Sequence, residues 1–305
     1  MVTLPAHLVA TPVLERLSPG SHAGVVLGAG ATAAWVDLDG FVIAITTREV
    51  PLLPNAIALS AGSGALARPG VAAGATARLS RGRATLGAFQ VTWDPVRPPS
   101  WDPTVPVPPD PPPAAVATRA AALLHALGVH LAPSSGADPD RLVRELARIG
   151  LPTAVDPGGA AGLRLVFRGV RERDPVPTLA GAGELLGRGP GLTPEGDDLL
   201  AAVAGTLAVL GPTAGLDGPA LKELLARLAP GPGRTTALSA TLLALASGRR
   251  LPEPAGRLLD LGPAGEAAWP AALARLERLG HGSGRAYAAG IAVTTSLLGG
   301  AAPSD

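Results

Sequence analysis

Ten prolines crowd the twenty residues from Asp94 to Pro113, among them Pro98-Pro99, Pro108-Pro109 and Pro111-Pro112-Pro113. Each lacks a backbone N–H and holds φ fixed, so neither a central strand nor a helix continues through such a stretch. It reads as an extended, semi-rigid connector, and the residue pattern changes across it. Before it, from about Ser21 to Trp93, short apolar runs alternate with turn residues: Gly24–Leu27, Ala33–Leu38, Phe41–Thr46, Ala56–Leu59, Ala75–Leu79, Arg83–Leu86 and Ala88–Trp93. Asp39-Gly40 between two of these runs is a hairpin signal. Several short strands separated by turns predict a small β-barrel or sandwich. After it, the spacing predicts helices over Ala114–Val129, Asp138–Ile149, Pro177–Leu186, Pro194–Leu210, Pro219–Leu228, Thr236–Ser247, Glu266–Leu279 and Ser283–Leu298. The expected fold class is α+β in sequential blocks, with a β-rich domain over 1–93, a linker over 94–113 and a mostly α-helical domain over 114–305.

Aromatic residues make up 3% of the 305, so the core is built from Ala, Leu and Val. Lys222 is the only lysine, and 40 glycines with 33 prolines match the codon bias of a high-GC genome. Lone glycines are therefore discounted as signals. A net charge of +1 without a basic run argues against a nucleic-acid partner. The absence of cysteine excludes thiol nucleophiles, disulfides and Cys-ligated zinc. Met1 to Gly20 lacks a basic start followed by an apolar run, so no secretory signal is expected. Leu199–Leu216 and Ala286–Ala302 are uncharged, yet Gly211-Pro212 breaks the first and Tyr287, Thr294, Thr295 and Ser296 interrupt the second. Buried core helices explain them better than membrane spans, and a cytoplasmic protein without a membrane partner is expected.

The densest chemistry lies in Gly187-Arg188-Gly189-Pro190-Gly191-Leu192-Thr193-Pro194-Glu195-Gly196-Asp197-Asp198. Glycines allow close backbone approach or positive φ. Thr193 suits an N-cap and Pro194 the first helical position, leaving first-turn N–H groups for an anion. Asp197 and Asp198 are favoured there by the helix dipole, but two carboxylates beside an anion site require an arginine, an ammonium group or a metal as company. Being adjacent, they point about 100° apart, so at most one faces a given ligand. The plain alternative is a tight turn with a good cap. No G-x-x-x-x-G-K-[ST] is present and no strand precedes a G-x-G-x-x-G, so neither nucleotide-binding pattern fits.

Two further glycine-containing loops feed apolar helices: Gly231 to Ser239, with Arg234, Thr235 and Thr236, and Gly280 to Arg285, with His281 and Ser283. If the three helix starts converge, they line one pocket with N–H groups, arginines and hydroxyls. Arg188, Arg234 and Arg285 each sit near a helix start, against the dipole, which points to a negative partner: Asp197, Asp198 or an anionic ligand. His281 suits proton transfer near neutral pH or substrate hydrogen bonding; capping of the last helix explains it equally well. His125 and His130 lack an acidic partner at metal-ligand spacing and read as structural. Gly62-Ser63-Gly64 lacks the strand-to-helix setting of a nucleophile elbow.

The stretch Gly189-Pro190-Gly191-Leu192-Thr193-Pro194-x-Gly196-Asp197-Asp198, together with Arg234-Thr235-Thr236-x-Leu238-Ser239 and Gly280-His281-x-Ser283-Gly284, resembles the AllH family. Pro54-Asn55 after an apolar strand is compatible with it. Glu195 stands where the family pattern has a small polar residue. The resemblance implies one subunit of an oxamate carbamoyltransferase of allantoin degradation, with partner subunits. It implies small anionic substrates: phosphate or carbamoyl phosphate, and an oxamate- or oxalurate-type acid. In that reading Arg188, Gly189, Gly191, Thr193, Gly196, Arg234, Thr235, Thr236, Ser283 and Arg285 bind anionic oxygens, and Asp197, Asp198 and His281 are the catalytic candidates. No cofactor is required, though Mg²⁺ remains compatible. Two alternatives stay open: a non-catalytic scaffold or regulatory subunit that binds a small anion, and a carboxylase- or ligase-like enzyme acting on a different acid.

Overall fold

The computed structural model describes residues 2–17, 20–67, 71–109, 111–130, 138–231, 233–280 and 282–299. They form two compact units, Met1–Pro103 with Leu251–Glu253, and Thr104–Arg250 with Pro254–Asp305.

The first unit is a closed β-barrel. Its strands are β1 (Val2–Ala10), β2 (Ser21–Ala29), β3 (Ala33–Leu38), β4 (Phe41–Thr46), β5 (Ala56–Leu59), β6 (Thr76–Ser80), β7 (Arg83–Leu86) and β8 (Phe89–Thr92), with the helix α1 (Thr11–Arg16) after β1. A two-residue strand, β9 (Ser100–Trp101), adds to the outside of β1. The order β5-β4-β3-β2-β6-β7-β8-β1 becomes a ring because β1 also pairs with β5. Alternate residues such as Val36, Leu38, Ile43, Ile45, Ile57, Leu79 and Phe89 fill its interior. Asp39 (φ 52°) and Gly40 (φ 85°) make the expected hairpin turn, both in the left-handed region that a primed turn requires. The Gly40 N–H donates to Asp37 Oδ1 at 2.7 Å and holds the turn.

The choice between barrel and sandwich falls to β1, which is absent from the strands read in the sequence. Pro5 breaks its pattern and argues against a central strand. In the structure β1 splits its pairing near that residue: Val2–Pro5 run parallel to β8, and Ala6–Val9 run antiparallel to β5. The proline-rich segment also contributes pairing, since the Val9 N–H donates to Pro99 O at 2.7 Å.

In the second unit the helices are α2 (Pro113–Ala126), α3 (Pro139–Arg148), α4 (Pro152–Val155), α5 (Pro157–Glu172), α6 (Pro175–Leu185), α7 (Glu195–Leu210), α8 (Gly218–Leu228), α9 (Ala237–Ser247), α10 (Glu253–Leu258), α11 (Pro263–Leu276) and α12 (Ser283–Gly299). α7 is the hub: every residue from Gly196 to Leu210 is buried, as befits a helix that is apolar all round. α12 lies against it, and a Cβ added at Gly290 would come within 2.6 Å of the Ala202 methyl.

Helix α5 was not expected. Four glycines lower its intrinsic helicity, but packing uses them. A Cβ on Gly181 of α6 would lie 2.4 Å from the carbonyl oxygen of Gly162 in α5, so the two backbones touch. These glycines are points of helix contact and carry a structural signal that composition alone hides. Asp156 caps α5 by accepting the Gly159 N–H at 2.7 Å.

Candidate functional site

The loop between α6 and α7 carries the glycine-rich stretch. Gly189 adopts φ 120°, and a Cβ there would sit 2.8 Å from the Glu195 nitrogen. Inside the first turn of α7, a Cβ on Gly196 would fall 2.2 Å from Leu185 O. The loop is thereby folded back onto the end of α6, and the Gly196 N–H donates to Arg188 O at 2.9 Å. The helix starts one residue later than expected: Pro194 takes the cap position, without a side-chain cap, and Glu195 is the first helical residue. Thr193 does not cap α7. Its hydroxyl instead lies 3.0 Å from Ser283 Oγ on α12.

The two aspartates have separate tasks. Asp197 Oδ1 accepts the Gly187 N–H at 2.8 Å, and its Oδ2 accepts the Thr235 hydroxyl. The Thr236 hydroxyl donates to Leu192 O at 2.6 Å and accepts the Ser239 N–H at 3.1 Å, so one side chain caps α9 and ties it to the loop. With the Thr193–Ser283 contact, these bonds bring the starts of α7, α9 and α12 together. The convergence posed by the sequence as a condition is met.

Asp198 lies at the centre of this junction, 4% exposed. Its Oδ2 has no hydrogen-bond partner among the described residues. Burial pushes its carboxyl up to about 8; a Ser283 hydrogen bond opposes the shift, while the charges of Asp197 and Glu195 add to it. Near neutral pH the group therefore holds a proton for much of the time. Tyr287, one turn beyond Ser283 on α12, is fully enclosed, and burial followed by the Asp198 charge raises its phenol above the ordinary range. It is the chain's single tyrosine, four residues after Ser283 and hence on the same helix face, a signal the sequence reading passed over.

The arginines are placed differently from one another. Arg188 Nη1 donates to Asp156 Oδ2 at 2.5 Å, and its Nε to Glu184 O at 3.0 Å. Arg285 donates to Ile149 O at 2.6 Å. Neither pairs with Asp197 or Asp198. Arg234 is exposed, and its guanidinium has no partner among the described residues. Glu195 Oε1 accepts the Thr153 N–H at 2.6 Å and so anchors the short helix α4 to α7. His281 lies outside the described residues. The rings of His125 and His130 meet edge-on at 5.5 Å.

On the outer side, Gly189, Gly191 and Leu192 are exposed. Their N–H groups, with that of Thr193, have no acceptor among the described residues. The loop offers backbone donors on its outer side and a buried carboxyl beside the Ser283 hydroxyl inside, while the Arg234 guanidinium lies near Gly183 of α6, 3.8 Å from where a Cβ there would be. Such a set suits a small, oxygen-rich anion carrying an uncharged carbonyl or amide. Among the described residues no group of three His, Asp or Glu side chains is placed to hold a metal ion. No helix among them is long and apolar enough to cross a membrane.

Residues 185–295 match the family described as oxamate carbamoyltransferase subunit AllH. Through this segment the chain is similar to the AllH family. The matched AllH segment runs from the last residue of α6 into α12 and contains the three converging helix starts. Asp156 and Thr153, which hold Arg188 and Glu195, lie before it. No curated protein and no solved structure matches the chain.

Proposed function

We propose that this chain is a carbamoyltransferase subunit that binds phosphate or carbamoyl phosphate and an oxamate- or oxalurate-type acid at the start of α7, in the cytoplasm and alongside partner subunits. The observation that carries the reading is the convergence of the three polar loops on the buried, half-unpartnered carboxyl of Asp198. In the phosphorolytic direction a phosphate oxygen attacks the carbamoyl carbon of the oxalurate-type acid. A tetrahedral intermediate forms, its bond to nitrogen breaks, and the departing oxamate nitrogen takes up a proton. The exposed N–H groups from Gly189 to Thr193 and the Arg234 guanidinium neutralise anionic oxygens. Asp198 in its protonated form donates to the carbamoyl group and supplies the proton for the leaving nitrogen. Asp197 serves by fixing the loop. No covalent nucleophile is required, because positioning and electrostatics supply the acceleration.

A second reading has its own support. Asp197, Arg188 and Arg285 are all engaged by the protein itself, as in a scaffold or regulatory subunit whose loop binds an anion without reacting.

Calorimetric and thermal-shift titration with phosphate, carbamoyl phosphate, oxamate and oxalurate decides between them. On the catalytic reading, carbamoyl phosphate or oxalurate binds the wild type, and binding is lost in both Asp198→Asn and Arg234→Ala. Saturation at about 100 times Kd stabilises by about 2.7 kcal/mol. Anion binding that survives Asp198→Asn supports the scaffold, and no binding to a folded chain sinks both.

A further inference from the structure

A cavity of about 150 Å³ opens between the end of α5, the start of α6, α7 and the start of α8. Its floor is apolar, made by Val170, Leu207, Leu221 and Leu224. A cavity of about this size holds a benzene-sized body.

Two residues at its rim break local rules. Arg173 ends α5 in the left-handed conformation, φ 57°, where glycine is the ordinary choice and a side chain is disfavoured. Its guanidinium folds back across the opening: a Cβ on Gly215, in the facing loop, would lie 3.5 Å from Arg173 Nη1. Asp217 occupies the cap position of α8, yet its carboxylate caps nothing. Neither charge has a partner among the described residues, and they do not pair with each other. Asp174, also at the rim, is committed to the Val176 N–H at 2.8 Å. The rim thus presents one uncommitted cation and one uncommitted anion above an aliphatic floor. Local rules broken twice at one opening mark a site shaped for a ligand rather than for helix stability.

We propose that this cavity binds a free α-amino acid with a branched aliphatic side chain. Its carboxylate pairs with Arg173, its ammonium with Asp217, and its side chain enters among Val170, Leu207, Leu221 and Leu224. A simple carboxylate leaves Asp217 unpaired and a simple amine leaves Arg173 unpaired, so the two charges select the zwitterion. The site is separate from the start of α7 and does not depend on the carbamoyl-transfer reading.

Isothermal titration of the full chain with L-leucine, isovalerate, isoamylamine and glycine tests it. Leucine is expected to give a saturable one-to-one isotherm, with isovalerate and isoamylamine about tenfold weaker or more and glycine silent. Arg173→Ala and Asp217→Asn should each weaken leucine by about tenfold with unchanged circular dichroism. Ala220→Phe, which narrows the mouth and leaves both charges in place, should abolish binding. The proposal is overturned if leucine gives no saturable heat with the folded wild type, if isovalerate or isoamylamine binds as well as leucine, or if both charge variants bind leucine normally.

Discussion

The hydroxyls of Thr193 and Ser283 lie 3.0 Å apart although ninety positions separate them in the chain. One belongs to the loop before α7, the other to the first turn of α12, and Asp198 is enclosed between those two helices. The contact joins the glycine-rich stretch to the last helix and orients the hydroxyl that reaches Asp198. A double-mutant cycle with Thr193→Val and Ser283→Ala should show a coupling of about 1 kcal/mol in urea denaturation. Strict additivity would mean that the contact does not hold the two helices together.

Asp197 joins the loop to α9 through the Gly187 N–H and the Thr235 hydroxyl, with 1% of its surface exposed. Asp197→Ala leaves both donors without their acceptor. A loss of about 2–4 kcal/mol is expected for two hydrogen bonds to a charged group, after partial relaxation. Thr235→Val should cost less, since one bond remains. Chemical denaturation of the two variants gives the ranking.

Asp198 makes folding stability depend on pH in the direction opposite to that of a paired carboxylate. Its folded value, about 8, stands above the ordinary 3.8, so between these values the folded chain holds a proton that the unfolded chain has released. Its contribution is fully present below about pH 4 and declines as pH rises to about 8. The limiting slope is about 1.4 kcal/mol per pH unit for one proton. Asp198→Asn cannot titrate, so the difference in stability between variant and wild type should grow in favour of the variant as pH rises through this window. The expected trade is a more stable protein with a weaker site. A pH-independent difference would mean that Asp198 ionises freely in the fold.

Gly196 and Gly191 separate two reasons for glycine. Alanine at 196 places a methyl 2.2 Å from Leu185 O, with backbone on both sides, so a loss of more than about 2 kcal/mol is expected in thermal unfolding. Alanine at 191 meets open space but inherits φ 95°, a conformational cost of about 1–2 kcal/mol. Equal losses would contradict the close approach at 196.

Arg188 and Arg234 should respond in opposite ways. The Arg188–Asp156 pair is partly exposed, so Arg188→Ala should cost no more than about 1 kcal/mol and act mainly on the loop. Arg234→Ala should leave stability unchanged and weaken the binding of phosphate or carbamoyl phosphate. Parallel calorimetry and thermal melts of the two variants check both statements.

Much of the fold is local and was legible residue by residue. Alternation and turn residues announce the strands from β2 to β8, Asp39-Gly40 announces its hairpin, and apolar spacing announces α7 and α12, because these signals act across a few neighbouring residues. The chemical likeness of the three loops at 187–198, 231–239 and 280–285 was legible for the same reason. Tertiary structure decided the rest. Only packing shows that β1, despite Pro5, pairs on both sides and closes a barrel, or that the glycines of α5 and α6 are points of backbone contact. Only the fold distinguishes two adjacent aspartates, by turning Asp197 toward Gly187 and Thr235 and sealing Asp198 beside Ser283. The 100° between neighbouring helical side chains says that they must differ. Which one is clamped and which is left with an unpartnered oxygen depends on segments up to ninety positions away, and no local rule reaches that far.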